Sequence, residues 1–180
     1  MIIVFGPAGS GKSTQGQLLA EKYNWKWLSI GQLLRDMGDE KLKAKMKTGE
    51  LIEDQFVVGV MSQAIQALNG GTAILDGYPR NKWQAQWLVD HQRLDKVQAI
   101  LIFDGDRDDL MERLKLRGRE DDNDEAIKGR FELYDREFGE IMPILETAGI
   151  PVVKINSVGT IEEVHASVVE KLREQGIVVV

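Results

Sequence analysis

The sequence predicts an α/β domain, a parallel β-sheet covered by helices on both faces. Four short runs, Met1–Phe5, Thr72–Leu75, Val97–Phe103 and Pro151–Ile155, are almost continuously apolar. Strands buried on both faces read this way, whereas half-exposed antiparallel strands alternate polar and apolar residues. Glycine, proline or acidic turn residues flank each run, and stretches of helical periodicity lie between them. Strands that alternate with helices build parallel sheets through crossover connections.

Met1–Phe5 is the first strand and leads at once into GPAGSGKST, Gly6–Thr14, with a helix expected to begin near Lys12. Trp25–Leu28 supplies a fifth short strand. Charged and apolar residues alternate at helical spacing over Lys41–Lys47, the pattern of a solvated helix face. Thr72–Leu75 ends in Asp76, and Val97–Phe103 ends in acidic turn residues. Ile127, Phe131, Tyr134, Phe138 and Ile141 recur at helical spacing, as do Ile161, Val164, Val168 and Leu172 beyond the Pro151–Ile155 strand. The closing Ile177–Val180 is apolar enough for an added strand or a dimer contact, and the sequence leaves both open. Trp25, Trp27, Trp83 and Trp87 are read as packing or rimming the core.

A chain of 180 residues without internal repeats, low-complexity tracts or an interdomain linker is expected to form one domain. It contains no cysteine, so disulfides, thiolate metal ligands and a cysteine nucleophile are excluded. That composition agrees with a reducing, cytoplasmic location. A formal charge of −6 argues against broad nucleic-acid binding. The apolar start meets a glycine turn too early for a signal peptide, and no run is long enough to span a bilayer, so neither secretion nor a membrane partner is expected.

Open parallel sheets bind ligands beyond the carboxyl ends of their strands, which directs attention to the loops after Phe5, Leu75, Phe103 and Ile155. The first of these, Gly6–Ser13, reads GPAGSGKS and fits the phosphate-loop pattern G-x-x-x-x-G-K-[ST] between a strand and a helix. Glycines let successive N–H groups curl around an anion, and the helix that follows points its positive dipole end at it. Gly9, Ser10, Gly11, Lys12, Ser13 and Thr14 are therefore candidate phosphate-binding residues. Lys12 would bridge the β- and γ-phosphates. Ser13 offers a hydroxyl to Mg²⁺, and Asp76 at the end of the next strand is the natural carboxylate to hold that ion through water.

GPAGSGKSTQ, SIGQLLR (Ser29–Arg35), DGYPRNKWQA (Asp76–Ala85) and RGREDDN (Arg117–Asn123) occur in this order. Together they resemble the adenylate kinases, within the nucleoside monophosphate kinases, over nearly the whole chain. The resemblance implies a three-layer P-loop NTPase fold with a five-stranded parallel sheet. It adds a small helical monophosphate-binding region over about residues 29–58 and a short lid over about 117–124. It implies reversible Mg²⁺-dependent phosphoryl transfer between ATP and AMP, giving ADP, by a monomer or small homo-oligomer. No zinc is implied, because the long metal-binding lid insertion of some members is missing.

By the same resemblance Arg113 covers the ATP adenine, Arg119 and Arg130 grip phosphates around the transfer, and Arg35 and Arg80 hold the AMP phosphate. Gln84 reads the AMP base. The backbone of Glu50, Leu51 and Ile52 and that near Val158–Gly159 lines the two nucleosides, and Ile30, Gly77, Tyr78 and Pro79 complete the monophosphate side. The arginines also stand out by themselves in an acidic chain, since planar guanidinium forks suit phosphate oxygens. Neither His91 nor His165 has a partner pattern for a base. None is needed, because a nucleoside monophosphate with a second pKa of about 6 is already largely dianionic at neutral pH.

The chain departs from the family pattern at several positions. Ile30 stands where threonine is usual and Gln32 where aspartate is usual. Asn81 is commoner in UMP/CMP kinases, Ser13 replaces a frequent glycine, and the lid is shorter than the family's short form. Ile30 and Asn81 therefore also admit a UMP/CMP kinase or a broad monophosphate kinase. A phosphate loop alone licenses a nucleotide-binding module without catalysis, against which the retained arginines argue.

Overall fold

The computed structural model describes residues 1–48, 52–91, 97–117 and 123–178, with only the backbone of 47, 48 and 117. Five strands form one parallel sheet: β1 (Ile2–Phe5), β2 (Lys26–Ser29), β3 (Ala73–Asp76), β4 (Ala99–Asp104) and β5 (Val152–Asn156), in the order β2-β3-β1-β4-β5. The register pairs Ile3 with Leu75 on one side and with Ile100 on the other. The helices are α1 (Lys12–Lys22), α2 (Ile30–Asp36), α3 (Glu40–Thr48), α4 (Asp54–Gln66), α5 (Lys82–His91), α6 (Arg107–Arg117), α7 (Asp124–Thr147) and α8 (Ile161–Glu174). This is the expected α/β fold of the P-loop type.

Alternate residues of each strand point to opposite faces, and here both faces are apolar. Met1, Ile3 and Phe5 join Leu28, Leu75, Leu88, Ile141 and Leu145 in one core beneath α2, α4, α5 and α7. Ile2 and Val4 join Leu19, Ile74, Leu101, Ile155, Val164, Val168 and Leu172 in the other, beneath α1 and α8. A third, smaller cluster of Leu110, Leu114, Ile127 and Phe131 ties α6 to α7. The layers are thus helix, sheet, helix, with β1 central and its loop emerging mid-sheet.

Every strand but β1 ends one residue later than apolar character suggests, because Ser29, Asp76, Asp104 and Asn156 still pair in the ladder. Helix α7 continues through Pro143, whose carbonyl accepts a hydrogen bond from Thr147 Oγ1 at 2.7 Å. Ile177 and Val178 pack against the α1/α8 core and form no strand, while positions 179 and 180 lie outside the described residues. Trp25, Trp27 and Trp87 are partly buried against the two cores, and Trp83 is exposed. Trp83 and Trp87 rim a separate surface groove between α4 and α5. Among the described residues no helix is long and apolar enough to cross a membrane.

Candidate active site

The phosphate loop turns twice through the left-handed region, at Gly9 (φ +82°) and Gly11 (φ +79°), where L side chains are strained. At Gly9 there is also no room. An added Cβ would lie 2.7 Å from the Leu110 carbonyl oxygen and 3.1 Å from Leu114 Cγ, so the loop rests directly on α6. Gly11 is the cap residue of α1 and supplies no side-chain cap, leaving first-turn N–H groups for an external anion. Lys12 Nζ donates to Pro7 O at 3.3 Å, folded back over the loop. Ser13 and Thr14 are exposed, and Ser10 Oγ is buried with no partner among the described residues.

Helix α1 is clamped at the same end. Gln15, buried, donates through Nε2 to Ile161 O at 2.8 Å, and its Oε1 lies 3.1 Å from His165 Nδ1. That contact joins the loop's helix to the start of α8, where Gly159 lies exposed just before the Thr160–Glu163 capping box. Burial, and secondarily Lys22, holds the His165 imidazole below its ordinary value. His91, exposed, stacks on Trp87. Both histidines are engaged in packing or hydrogen bonding.

Beside the loop opens a cavity of about 510 Å³, a size suited to a small-molecule ligand. Its floor is Phe5, Gly6 and Lys12. One wall is Ile30 and Leu34 of α2, with Ile52, Asp54 and Val57 at the start of α4. The loop after β3 contributes Gly77, Pro79, Arg80, Asn81 and Gln84, and α7 supplies Arg130, Tyr134, Glu137 and Phe138. The sequence-named residues Lys12, Ile30, Ile52, Gly77, Pro79, Arg80, Gln84 and Arg130 therefore share one cleft. Asp76 and Tyr78 lie buried beneath it.

Arg80 donates through Nε to Gly77 O at 2.9 Å. Packing around its guanidinium lowers its affinity for the proton, and Asp76 and Glu137 offset this, so the group remains a cation as arginine does in proteins. Across the cleft, burial raises the Glu137 carboxyl above its ordinary value, against the pull of Arg80 and Arg136. Burial likewise raises Tyr78, with Asp54 adding to the effect. Tyr134 stacks on Phe138 at 5.2 Å between ring centroids, and Phe138 meets Phe5 edge-on at 5.8 Å.

Other sequence-named residues do not line this cavity, although Arg35 lies close enough to Arg80 for its charge to act on that guanidinium. Arg35 is exposed at the end of α2 and donates to Gln32 Oε1 at 2.9 Å. Arg113 is half-buried on α6, and Gly159 is exposed just before α8. Glu50, Leu51 and Arg119 lie outside the described residues. Sequence reasoning missed Asp54 and Glu137 as cleft residues. Nothing local marks Asp54, an acidic residue in the first turn of a helix, since its partners are 27 and 30 positions away.

A family model described as "Adenylate kinase" matches residues 4–150. The chain belongs to the adenylate kinase family. It is 32% identical over 172 residues to an adenylate kinase of Synechococcus sp. (strain WH7803), covering 91% of this chain and 93% of that one. It is 37% identical over 180 residues to that of Mycolicibacterium smegmatis, with 95% and 98% covered. It is 34% identical over 181 residues to that of Mycobacterium marinum, again with 95% and 98% covered. Membership makes the chain a phosphotransferase, a nucleoside monophosphate kinase of the adenylate kinase type.

Proposed function

We propose that this chain catalyses reversible transfer of the γ-phosphoryl group of Mg-ATP to AMP, giving two ADP. The observation that carries the reading is that Lys12, Arg80, Arg130, Ile30 and Gln84 line one cavity of about 510 Å³. Lys12 and the bare N–H groups of Gly9–Thr14 receive the β- and γ-phosphates of the donor. Arg80 and Arg35 bind the acceptor phosphate, and Arg130 and Arg119 neutralise charge on the group in transit.

The attacking oxygen belongs to a phosphate that is already dianionic, so the protein holds two anions in line and lowers their repulsion. Arg113 and the backbone at Gly159 flank the donor nucleoside, and Glu50, Leu51 and Ile52 the acceptor one. The region 29–58 acts as the monophosphate-binding arm, and 117–124 as a short flap that excludes water.

The donor set fits Mg²⁺. Among the described residues no group of three or more His, Cys, Asp or Glu gathers to hold a metal by itself. A divalent ion would take the Ser13 hydroxyl, Asp76 through water and phosphate oxygens, which is how Mg²⁺ is commonly held. When bound, it neutralises charge on the bridging phosphate oxygens. The cysteine-free composition fits work in the cytoplasm.

The test is turnover of AMP, dAMP, CMP, UMP and GMP with Mg-ATP by purified protein. Preferential conversion of AMP to ADP is expected. A folded protein that phosphorylates none of them overturns the reading, and equal use of UMP and AMP replaces it with a broad monophosphate kinase.

A further inference from the structure

We propose that Asp54 selects the base of the acceptor nucleotide, by fixing the amide of Gln84 and by presenting its own carboxylate beside it. This rests on the phosphotransferase reading above. Asp54 begins α4, and a single carboxylate oxygen, Oδ1, accepts from two amides: Asn81 Nδ2 at 2.8 Å and Gln84 Nε2 at 2.7 Å. A carboxylate of this kind only accepts, so each amide must turn its nitrogen toward it.

The far end of each amide is fixed as well. Gln84 Oε1 accepts from the Arg80 backbone N–H at 2.8 Å, and Asn81 Oδ1 accepts from the Gln84 backbone N–H at 2.9 Å. A backbone N–H only donates, so neither amide can flip without breaking both of its bonds.

Two groups remain for a ligand, the second N–H of Gln84 and the second oxygen of Asp54, on residues that both line the cleft. They form a donor beside an anionic acceptor. A base edge that complements this pair carries a ring nitrogen with a lone pair next to an amino group. Adenine offers it at N1 and N6, and cytosine at N3 and N4. Hypoxanthine, guanine and uracil present a ring N–H next to a carbonyl oxygen. In the pose that sets the ring nitrogen against Gln84 and the exocyclic group against Asp54, which a phosphate and ribose held by the rest of the cleft would keep, their N–H meets the Gln84 N–H and their carbonyl meets the carboxylate. Asn81 is engaged in holding Asp54, and Ile30 offers the base only apolar contact, which discriminates weakly. Asp54 is therefore the polar discriminator on this wall of the cleft, with Tyr134 and Glu137 on the α7 wall across from it.

The experiment compares AMP with inosine monophosphate, which differs in carrying oxygen in place of the N6 amino group, in steady-state assays of wild type and Asp54→Asn. Asparagine keeps an oxygen for the two amide donors and turns a donor toward the base. The ratio of kcat/KM for AMP to that for inosine monophosphate should fall by about ten- to a hundred-fold. The change should lie mainly in KM, with use of inosine monophosphate rising absolutely. A purely structural Asp54 would lower both substrates together, and an unchanged ratio overturns the proposal.

If the variant does not fold, wild type alone decides. Equal use of the two nucleotides overturns the proposal, and rejection of inosine monophosphate by at least tenfold supports it. If no monophosphate turns over, the functional reading fails separately, and calorimetric binding of the two nucleotides to wild type and variant judges Asp54 by the same ratio.

Discussion

Replacing Gly9 by alanine would place a methyl group 2.7 Å from the Leu110 carbonyl oxygen and 3.1 Å from Leu114 Cγ, on a backbone held at φ +82°. The left-handed conformation costs a non-glycine residue about 1–2 kcal/mol. Reduced freedom of the unfolded chain returns about 0.4–1 kcal/mol of that. The collision is with backbone, which cannot rotate aside, and overpacking of this kind costs about 1–3 kcal/mol more.

Gly11→Ala isolates the first part, because Gly11 has nearly the same φ, +79°, and no atom within 4 Å of the added carbon. The expected losses are about 2–4 kcal/mol for Gly9→Ala and about 1 kcal/mol for Gly11→Ala. Urea unfolding of both variants and wild type, compared at a common slope, reads the difference. Equal destabilisation of the two, within about 0.5 kcal/mol, would refute the claim that the loop rests on α6.

Lys12→Ala should lower kcat by about 10²- to 10³-fold, the usual loss when one preorganised charge donor is removed, with the unfolding midpoint unchanged. Wild-type turnover would remove Lys12 from the chemistry. Arg80→Lys keeps the charge but loses the planar fork and the Nε bond to Gly77 O, so KM for the monophosphate should rise by about tenfold or more, measured at saturating Mg-ATP. His165, held below its ordinary 6.5 by burial and Lys22, binds its proton more weakly when folded than when unfolded. Its contribution to stability is intact above that value and is lost as pH falls below it. His165→Gln, which cannot titrate, should show a shallower fall in urea midpoint from neutral pH to about pH 5, and an unchanged slope would contradict the assignment.

The sheet was legible because the central strands β1 and β3 are buried along their whole length and therefore almost wholly apolar, whereas the edge strands β2 and β5 carry exposed Lys26 and Lys154. The strand ends were less so. Asp76 and Asn156 are polar yet remain in the ladder, since backbone pairing does not depend on the side chain where a strand reaches the ligand edge. The phosphate loop was legible because its function needs bare backbone and a lysine at fixed spacing, both of which sequence records directly. Arg80 and Gln84 were named because DGYPRNKWQA, which contains both, resembles the family's stretch, and both line the cleft. Asp54 escaped because its meaning comes from amides 27 and 30 residues away. Gln15 looked like the tail of the loop motif, and only the folded chain shows it reaching the start of α8.

Helix α7 puts Arg130, Tyr134, Glu137 and Phe138 on the cleft, sends Leu145 of the same rod into the core, and gives Ile141 to both. Phe138 belongs to both, touching the chamber while its ring meets Phe5 of the central strand. Any variant that hollows out this wall to admit a bulkier acceptor also strips packing from β1. Broadened substrate range and heat tolerance should therefore move in opposite directions along this helix, and selection for one will leave its mark on the other.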